Sequence, residues 1–402
     1  MMRSGSANTG YWELVAAGEP FRLMFPVGLG MGLFGVMLWP AYFAGWLENY
    51  PSAAHSGIMI QGFLTCFVFG FLGTALPRLL DVPRVTLNET FALAATVLIV
   101  VCLHAAGQTP TANALFFVVL LGFLAELLLR IPFRRDTPPP GFVLVAMGLF
   151  SALTGALTIF FVPVISASIQ PPVLMLGKLF LNQGYLLLPI MGVGAFLLPR
   201  FFGLQNRQSF PESLSVPPGW KPRALFAAAC GSGVLVSFVL EATGYSRTGF
   251  LLRALAILVY FAREVPFHRA GIGHGALAFG LRIALVSIPL GYFLMAIWPE
   301  YRDTFIHVVF VTGYSLLTFI VASRVVLGHS GQSHLFKAWL PSLLTMTALV
   351  SLAMLTRISA DWLGERRSSH LVYAAAVWAV GALIWGILIL PSVRQADREQ
   401  SE

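Results

Sequence analysis

Apolar residues in this chain gather into blocks near 23-47, 56-76, 88-106, 112-130, 141-163, 173-198, 224-242, 248-263, 274-297, 303-325, 336-357 and 369-391, separated by short polar or proline-containing breaks. A helix needs about 20 mostly apolar residues to cross the hydrocarbon core of a bilayer, so the pattern predicts twelve spans in an all-α polytopic membrane protein. The weakest block, 248-263, is short and holds Arg253. If it and its neighbour were re-entrant, the count would fall to ten or eleven. The first block is too long for the core of a cleaved signal, so the chain is expected to be retained whole.

Composition agrees with this pattern. Of 402 residues, 57% are hydrophobic and only 10% charged, with a mean hydropathy of +0.80; soluble chains carry about 25% charged residues. A cytosolic enzyme, a secreted module and a disordered chain are therefore excluded. The net charge of +8 comes from basic residues spread singly between apolar runs. Such a distribution marks topology, whereas nucleic-acid binding calls for a basic block or stripe. Placing the N-terminus inside puts 17 of the Lys and Arg residues on the inner face and 6 on the outer, with Arg253 and Arg282 embedded. This asymmetry predicts residence in the cytoplasmic membrane with both termini cytoplasmic. The segment 200-222, with Pro211, Pro217, Pro218 and Pro222, reads as a linker within a single membrane domain, 1-402. Cys66, Cys102 and Cys230 lie in apolar runs without CxxC spacing and read as buried residues.

Two series of residues recur with a period of four spans. Gln61, Gln183 and His307 each precede an arginine, namely Arg78, Arg200 and Arg324, by 17 positions, and they are 122 and 124 residues apart. A P-x-x-R tetrapeptide follows spans four, eight and twelve, at Pro132, Pro266 and Pro391. The series suggest three four-helix repeats, 20-135, 141-269 and 274-395. Proline at helix ends and arginine at inner faces could also produce such echoes separately. Twelve helices in three arcs of four resemble the catalytic subunit of haem-copper oxidases at the level of fold alone.

Histidine inside a span is costly unless partnered. The topology puts His55, His104, His307 and His370 at outer helix ends and His268, His274, His329 and His334 at inner ones. His55 opens span two and His307 opens span ten at similar depth, a placement suited to two imidazoles on one haem; contact with headgroup water is the plainer alternative. His307 continues into Tyr314 and Thr318 as a polar stripe. His329 is 22 residues further on, about 33 Å of helix, so it would serve a separate inner site or simply end its helix. Glu126 and Arg130 are spaced for an i,i+4 ion pair. Arg253 and Arg282 need a carboxylate, a carbonyl or a haem propionate as partner.

The string Arg324-Val325-Val326-Leu327-Gly328-His329-Ser330-Gly331-Gln332 resembles the R-V-x-L-G-H-T-G-R signature of the NnrS family, polytopic haem- and copper-containing membrane proteins tied to nitric oxide metabolism. That family also carries a histidine and a glycine earlier in the same helix, where this chain has His307 and Gly313. Near its second span the family shows H-x-H-E-M-L-x-G-F, which His55-Ser56-Gly57-Ile58-Met59-Ile60-Gln61-Gly62-Phe63 resembles in the first histidine, the methionine and the Gly-Phe pair. Gly57 and Ile58 stand where the family has histidine and glutamate, so part of its metal complement is in question. The resemblance implies haem, and copper as a second metal; together with the placements above it makes His55, His307 and His329 the expected metal ligands and Arg282 and Arg324 the expected cofactor contacts. It also implies a small gas ligand such as nitric oxide, and a role in nitric oxide metabolism or the nitrosative-stress response. The competing reading is a secondary transporter of a small anionic or apolar solute. It accounts for the glycine-rich helices at Gly30, Gly32, Gly35, Gly70 and Gly73 and for Arg282 as an anion contact, but not for histidines at matched depth.

Overall fold

The computed structural model describes residues 10–396; Arg3 and Arg398, two of the 17 basic residues assigned to the inner face, lie outside them. Twelve long helices follow one another: α1 (Phe21–Phe43), α2 (Ser52–Leu79), α3 (Leu87–Ala105), α4 (Thr109–Phe133), α5 (Phe142–Val164), α6 (Gln170–Phe202), α7 (Trp220–Ala242), α8 (Ser246–Glu264), α9 (Gly275–Ile297), α10 (Pro299–Gly328), α11 (Pro341–Ser359) and α12 (Gly364–Arg394). Among the described residues, eleven are long and apolar enough to cross a membrane. The exception is α8, whose 19 residues give about 28 Å of helix but include Arg247, Arg253, Arg263 and Glu264. It packs between α7 and α9 all the same, because its embedded charge is neutralised. Arg253 donates to Glu241 at 2.6 Å, to Ser237 at 2.9 Å and to Gln183 at 2.9 Å, and lies over the rings of Phe238 and Tyr292.

Consecutive helices pack as neighbours, and α1 closes the bundle against α12. Helices α2, α6 and α10 form the inner layer, with 78%, 72% and 67% of their apolar windows buried, against 28% for α4 and α11. The outer faces carry bare apolar side chains such as Leu129, Leu225 and Ile387, which belong against lipid. Close approach is set by small residues. A Cβ at Gly155 would come within 2.6 Å of the α6 backbone, so glycine there lets α5 and α6 touch.

Each inner helix contains a π-helical stretch: Ile58–Leu64, Phe180–Gly184 and Val308–Ser315. The first two hold Gln61 and Gln183, and the third begins directly after His307. Each extra residue of such a bulge turns the helix that follows by about 100° relative to a regular α-helix, and bulges of this kind concentrate at functional sites.

Two expectations from the sequence are corrected: Cys102, expected to be buried, is exposed on α3, and the Glu126–Arg130 ion pair does not form. The segment 200-222 is pinned to the bundle: Gln208 accepts from the Gly141 amide at 2.8 Å and donates to Glu264 at 2.6 Å, while Trp220 donates to the Pro138 carbonyl at 2.7 Å. Arg130 does not pair with the Glu126 carboxylate. Its guanidinium takes the Glu126 carbonyl at 2.7 Å and reaches across to Glu89 on α3 at 2.6 Å. Glu89 also closes the capping box with Thr86 that starts α3, so the carboxylate was already held in place for Arg130.

Candidate functional site

Helix α2 brings His55, Met59 and Phe63 to one face by their i, i+4, i+8 spacing, and all three line a single cavity with His307, Phe310 and Val311 of α10. The unfilled space it bounds, including the part open to the surroundings, is about 880 Å³. Other helices add Val36 and Trp39 of α1, Ala353 and Arg357 of α11, and Ala374, Ala375 and Trp378 of α12 to the wall. Small residues on α11 and α12 leave the space open, and Trp39 and Trp378 bound it. Trp39 lies edge-on to the His55 ring at 5.6 Å, while the Trp378 indole donates to Ser315 at 3.0 Å.

The two imidazoles are held alike. His55 Nδ1 donates to the Gly35 carbonyl at 2.9 Å, and His307 Nδ1 donates to the Asp303 carbonyl at 2.7 Å. A proton on each Nδ1 leaves each Nε2 as a bare lone pair, and among the described residues neither Nε2 has a hydrogen-bond partner. Gly35 is needed for the first contact, since a Cβ there would meet Ile58 at 2.9 Å and Met59 at 3.0 Å. Beside the histidines, Arg357 is anchored by Asp361 at 2.9 Å, and Asp361 also accepts from Thr304 at 2.7 Å and Arg367 at 3.1 Å. Burial works against the Asp361 charge, but the hydrogen bonds from Arg357 and Thr304 prevail and hold its pKa down to about 2. The carboxylate is therefore ionised at neutral pH and fixes the guanidinium at the cavity edge.

The structure thus brings His55 and His307 together. The other three residues singled out in the sequence lie elsewhere. His329 caps α10 at the opposite end, where its Nδ1 donates to the Val325 carbonyl at 2.9 Å and its Nε2 accepts from Arg78. Both ring nitrogens are occupied there. Arg78 also binds Glu19, which binds Arg22, and Arg22 reaches the carbonyls of His329 and Gln395 at 2.9 Å. Arg324 lies between the rings of Phe201 and Phe336, its guanidinium carbon 4.5 and 4.2 Å from their centroids. Arg282 donates to the carbonyls of Phe267, Ala270 and Gly271 at 2.6 to 3.1 Å and holds the α8–α9 loop.

Sequence reasoning did not single out Arg357, Asp361 or His104 as site residues. Arg357 is one of the six basic residues that the sequence assigns to the outer face, and nothing local distinguishes an arginine near a helix end that faces water from one that faces a cavity. His104 fills the space left by Gly57: a Cβ at position 57 would lie 2.5 Å from its ring. Its Nε2 donates to Gln61 at 2.9 Å, Gln61 donates to Asn113 at 2.7 Å, and its Nδ1 is buried with no partner. An imidazole from α3 therefore occupies the place beside α2 where the second-span motif lacks one.

Below this cavity lies a second, apolar one between the inner helices, walled by Phe67, Leu186, Val193, Leu317 and Val321, with Tyr314 and Thr318 as its polar side chains. Leu64 lines both cavities. Tyr314 continues to Tyr292 at 3.2 Å and on to Gln183 at 2.9 Å.

A comparison with curated proteins finds no match. The family model described as NnrS protein matches residues 16–396, nearly the whole chain and all twelve helices that build these cavities. The chain belongs to the NnrS family.

Proposed function

We propose that the cavity between α2 and α10 is a haem site, in which His55 and His307 would hold the group, in a membrane protein of nitric oxide metabolism or the nitrosative-stress response. The observation that carries this reading is the pair of bare Nε2 atoms facing one mostly apolar cavity, each ring held by a carbonyl at Nδ1. Two neutral imidazoles are a donor set that would hold a haem iron, and the Nδ1 hydrogen bonds fix ring orientation and raise ligand basicity. Arg357 is the side chain placed to meet a haem carboxylate. A bound haem supplies one-electron chemistry and affinity for a diatomic gas. The protein's part is to orient the imidazoles, exclude water with Trp39, Phe63 and Trp378, and admit an apolar gas through the cavity between the inner helices. Copper is the second metal that the family resemblance implies. Among the described residues no three His, Cys, Asp or Glu side chains converge, so a copper ion at this site would rest on the His55–His307 pair. The basic asymmetry supports the His329 end as the cytoplasmic one.

The absorption spectrum of the purified protein tests the reading. The wild type should show a low-spin Soret band that His55→Ala and His307→Ala each abolish or convert, and that His329→Ala leaves unchanged. A wild type without a Soret band, or one whose band survives both outer substitutions, defeats it; metal analysis then tells whether copper occupies the pair.

A further inference from the structure

At the end of the bundle opposite His55, the inner helices bring three arginines to one cavity. Arg78 of α2, Arg200 of α6 and Arg324 of α10 line it together with His329, Thr74, Phe196 and Phe336. The unfilled space it bounds, including the part open to the surroundings, is about 1230 Å³, and no carboxylate is among its lining residues. Each arginine lies 17 residues after Gln61, Gln183 or His307, so the convergence follows from three helices of the inner layer running side by side.

The charges there are not balanced. Glu19 pairs with Arg78, but it pairs with Arg22 as well. Arg78 Nε is buried and has no partner. Arg200 lies over the Phe196 ring at 4.8 Å, and Arg324 between Phe201 and Phe336. Among the described residues neither guanidinium has a hydrogen bond or a carboxylate. Aromatic faces attract a cation through the ring quadrupole but leave its N–H groups unsatisfied. Guanidiniums gathered at the rim of a membrane domain without counter-charges repel one another and call for an anion from outside the chain.

We propose that this cavity binds a phosphate-class oxoanion, gripped by the guanidiniums of Arg200 and Arg324 and the free edge of Arg78. The flat, multidentate donors match tetrahedral oxygens. The same chemistry is offered by a free oxoanion and by the headgroup of an anionic phospholipid. The site is at the far end of the bundle from the His55–His307 cavity and does not depend on haem.

Equilibrium binding to the full-length protein decides the matter, with two probes: inorganic phosphate in neutral detergent, and nanodiscs of phosphatidylglycerol compared with phosphatidylcholine. Arg200→Gln and Arg324→Gln each remove a charged hydrogen-bonding group from the anion and should each weaken binding about tenfold or more. Arg200 is exposed, which keeps at least that variant folded, and Arg324→Lys should recover only part of the affinity because it keeps the charge and loses the fork. Phosphate binding lost in the variants identifies a free oxoanion. Retention and stabilisation by phosphatidylglycerol alone, lost in the same variants, identify a headgroup. Wild type and both glutamine variants behaving alike with both probes would overturn the proposal.

Discussion

Gly57 and His104 show what one side chain more or less does inside this bundle. Alanine normally gains about 1 kcal/mol over glycine in a helix. At position 57, however, its Cβ would lie 2.5 Å from the His104 ring, which cannot easily move while it donates to Gln61. Overpacking of this kind costs about 1–3 kcal/mol. Gly57→Ala should therefore lower the thermal midpoint in detergent, and should be tolerated once His104→Ala removes the ring. The coupling is read from a double-mutant cycle; additive losses would show that the ring does not occupy the space beside residue 57. The same residue scale explains why His55 and His307 carry the site while His329 stands apart. Two of the three have a free Nε2, and the third has both nitrogens engaged.

At the level of elements, α8 is the instructive helix. Its hydropathy is held down by charges, yet it is a full-length helix because Arg253 meets Glu241 of α7 in the interior, both side chains with 0% exposure. A buried pair is weak evidence for stability, but breaking one strands a charge and costs about 3–5 kcal/mol. Glu241→Ala should accordingly destabilise the protein severely, the more so because Arg302 also relies on that carboxylate at 2.7 Å. Replacing both members, with Arg253→Met and Glu241→Leu, should recover most of the loss. Comparison of the unfolding midpoints of the single and double variants is the measurement; a double variant no better than Glu241→Ala would mean that the pair is needed for more than charge balance. Helices α2 and α10 add a different lesson. Their π-helical stretches begin within three residues of His55 and His307, and the change of register lets the histidines and the later residues of each helix face the interior together.

For the whole molecule, the even number of long helices puts both ends of the described chain on one side, together with Arg78, Arg200, Arg324 and His329. The basic residues concentrate at that same end, and we propose on that ground that this end faces the cytoplasm. Reporter fusions after residues 50, 210 and 395 should place only the first outside the cell; an external reporter at 210 would reverse the orientation. The four-span periodicity belongs to this scale as well. We propose three related four-helix units, with Gln61 and Gln183 in equivalent places, each within the π-helical stretch of its inner helix.

The linear sequence determined the spans, the class of fold and the family, because the lengths of apolar runs and the strings around His55 and His329 are local properties that a bilayer or a helix end imposes directly. It also put His55 and His307 at matching depth. Tertiary packing alone decided the rest. Whether an imidazole nitrogen is free or engaged depends on carbonyls such as that of Gly35, twenty residues away in the chain. Whether Arg253 has a counter-charge, and whether Arg357 and His104 stand beside the motif of α2, depends on helices that meet only in the folded bundle. The π-helical stretches are likewise invisible in the apolar pattern, because a single added residue changes the direction of side chains without changing the length or hydropathy of a span.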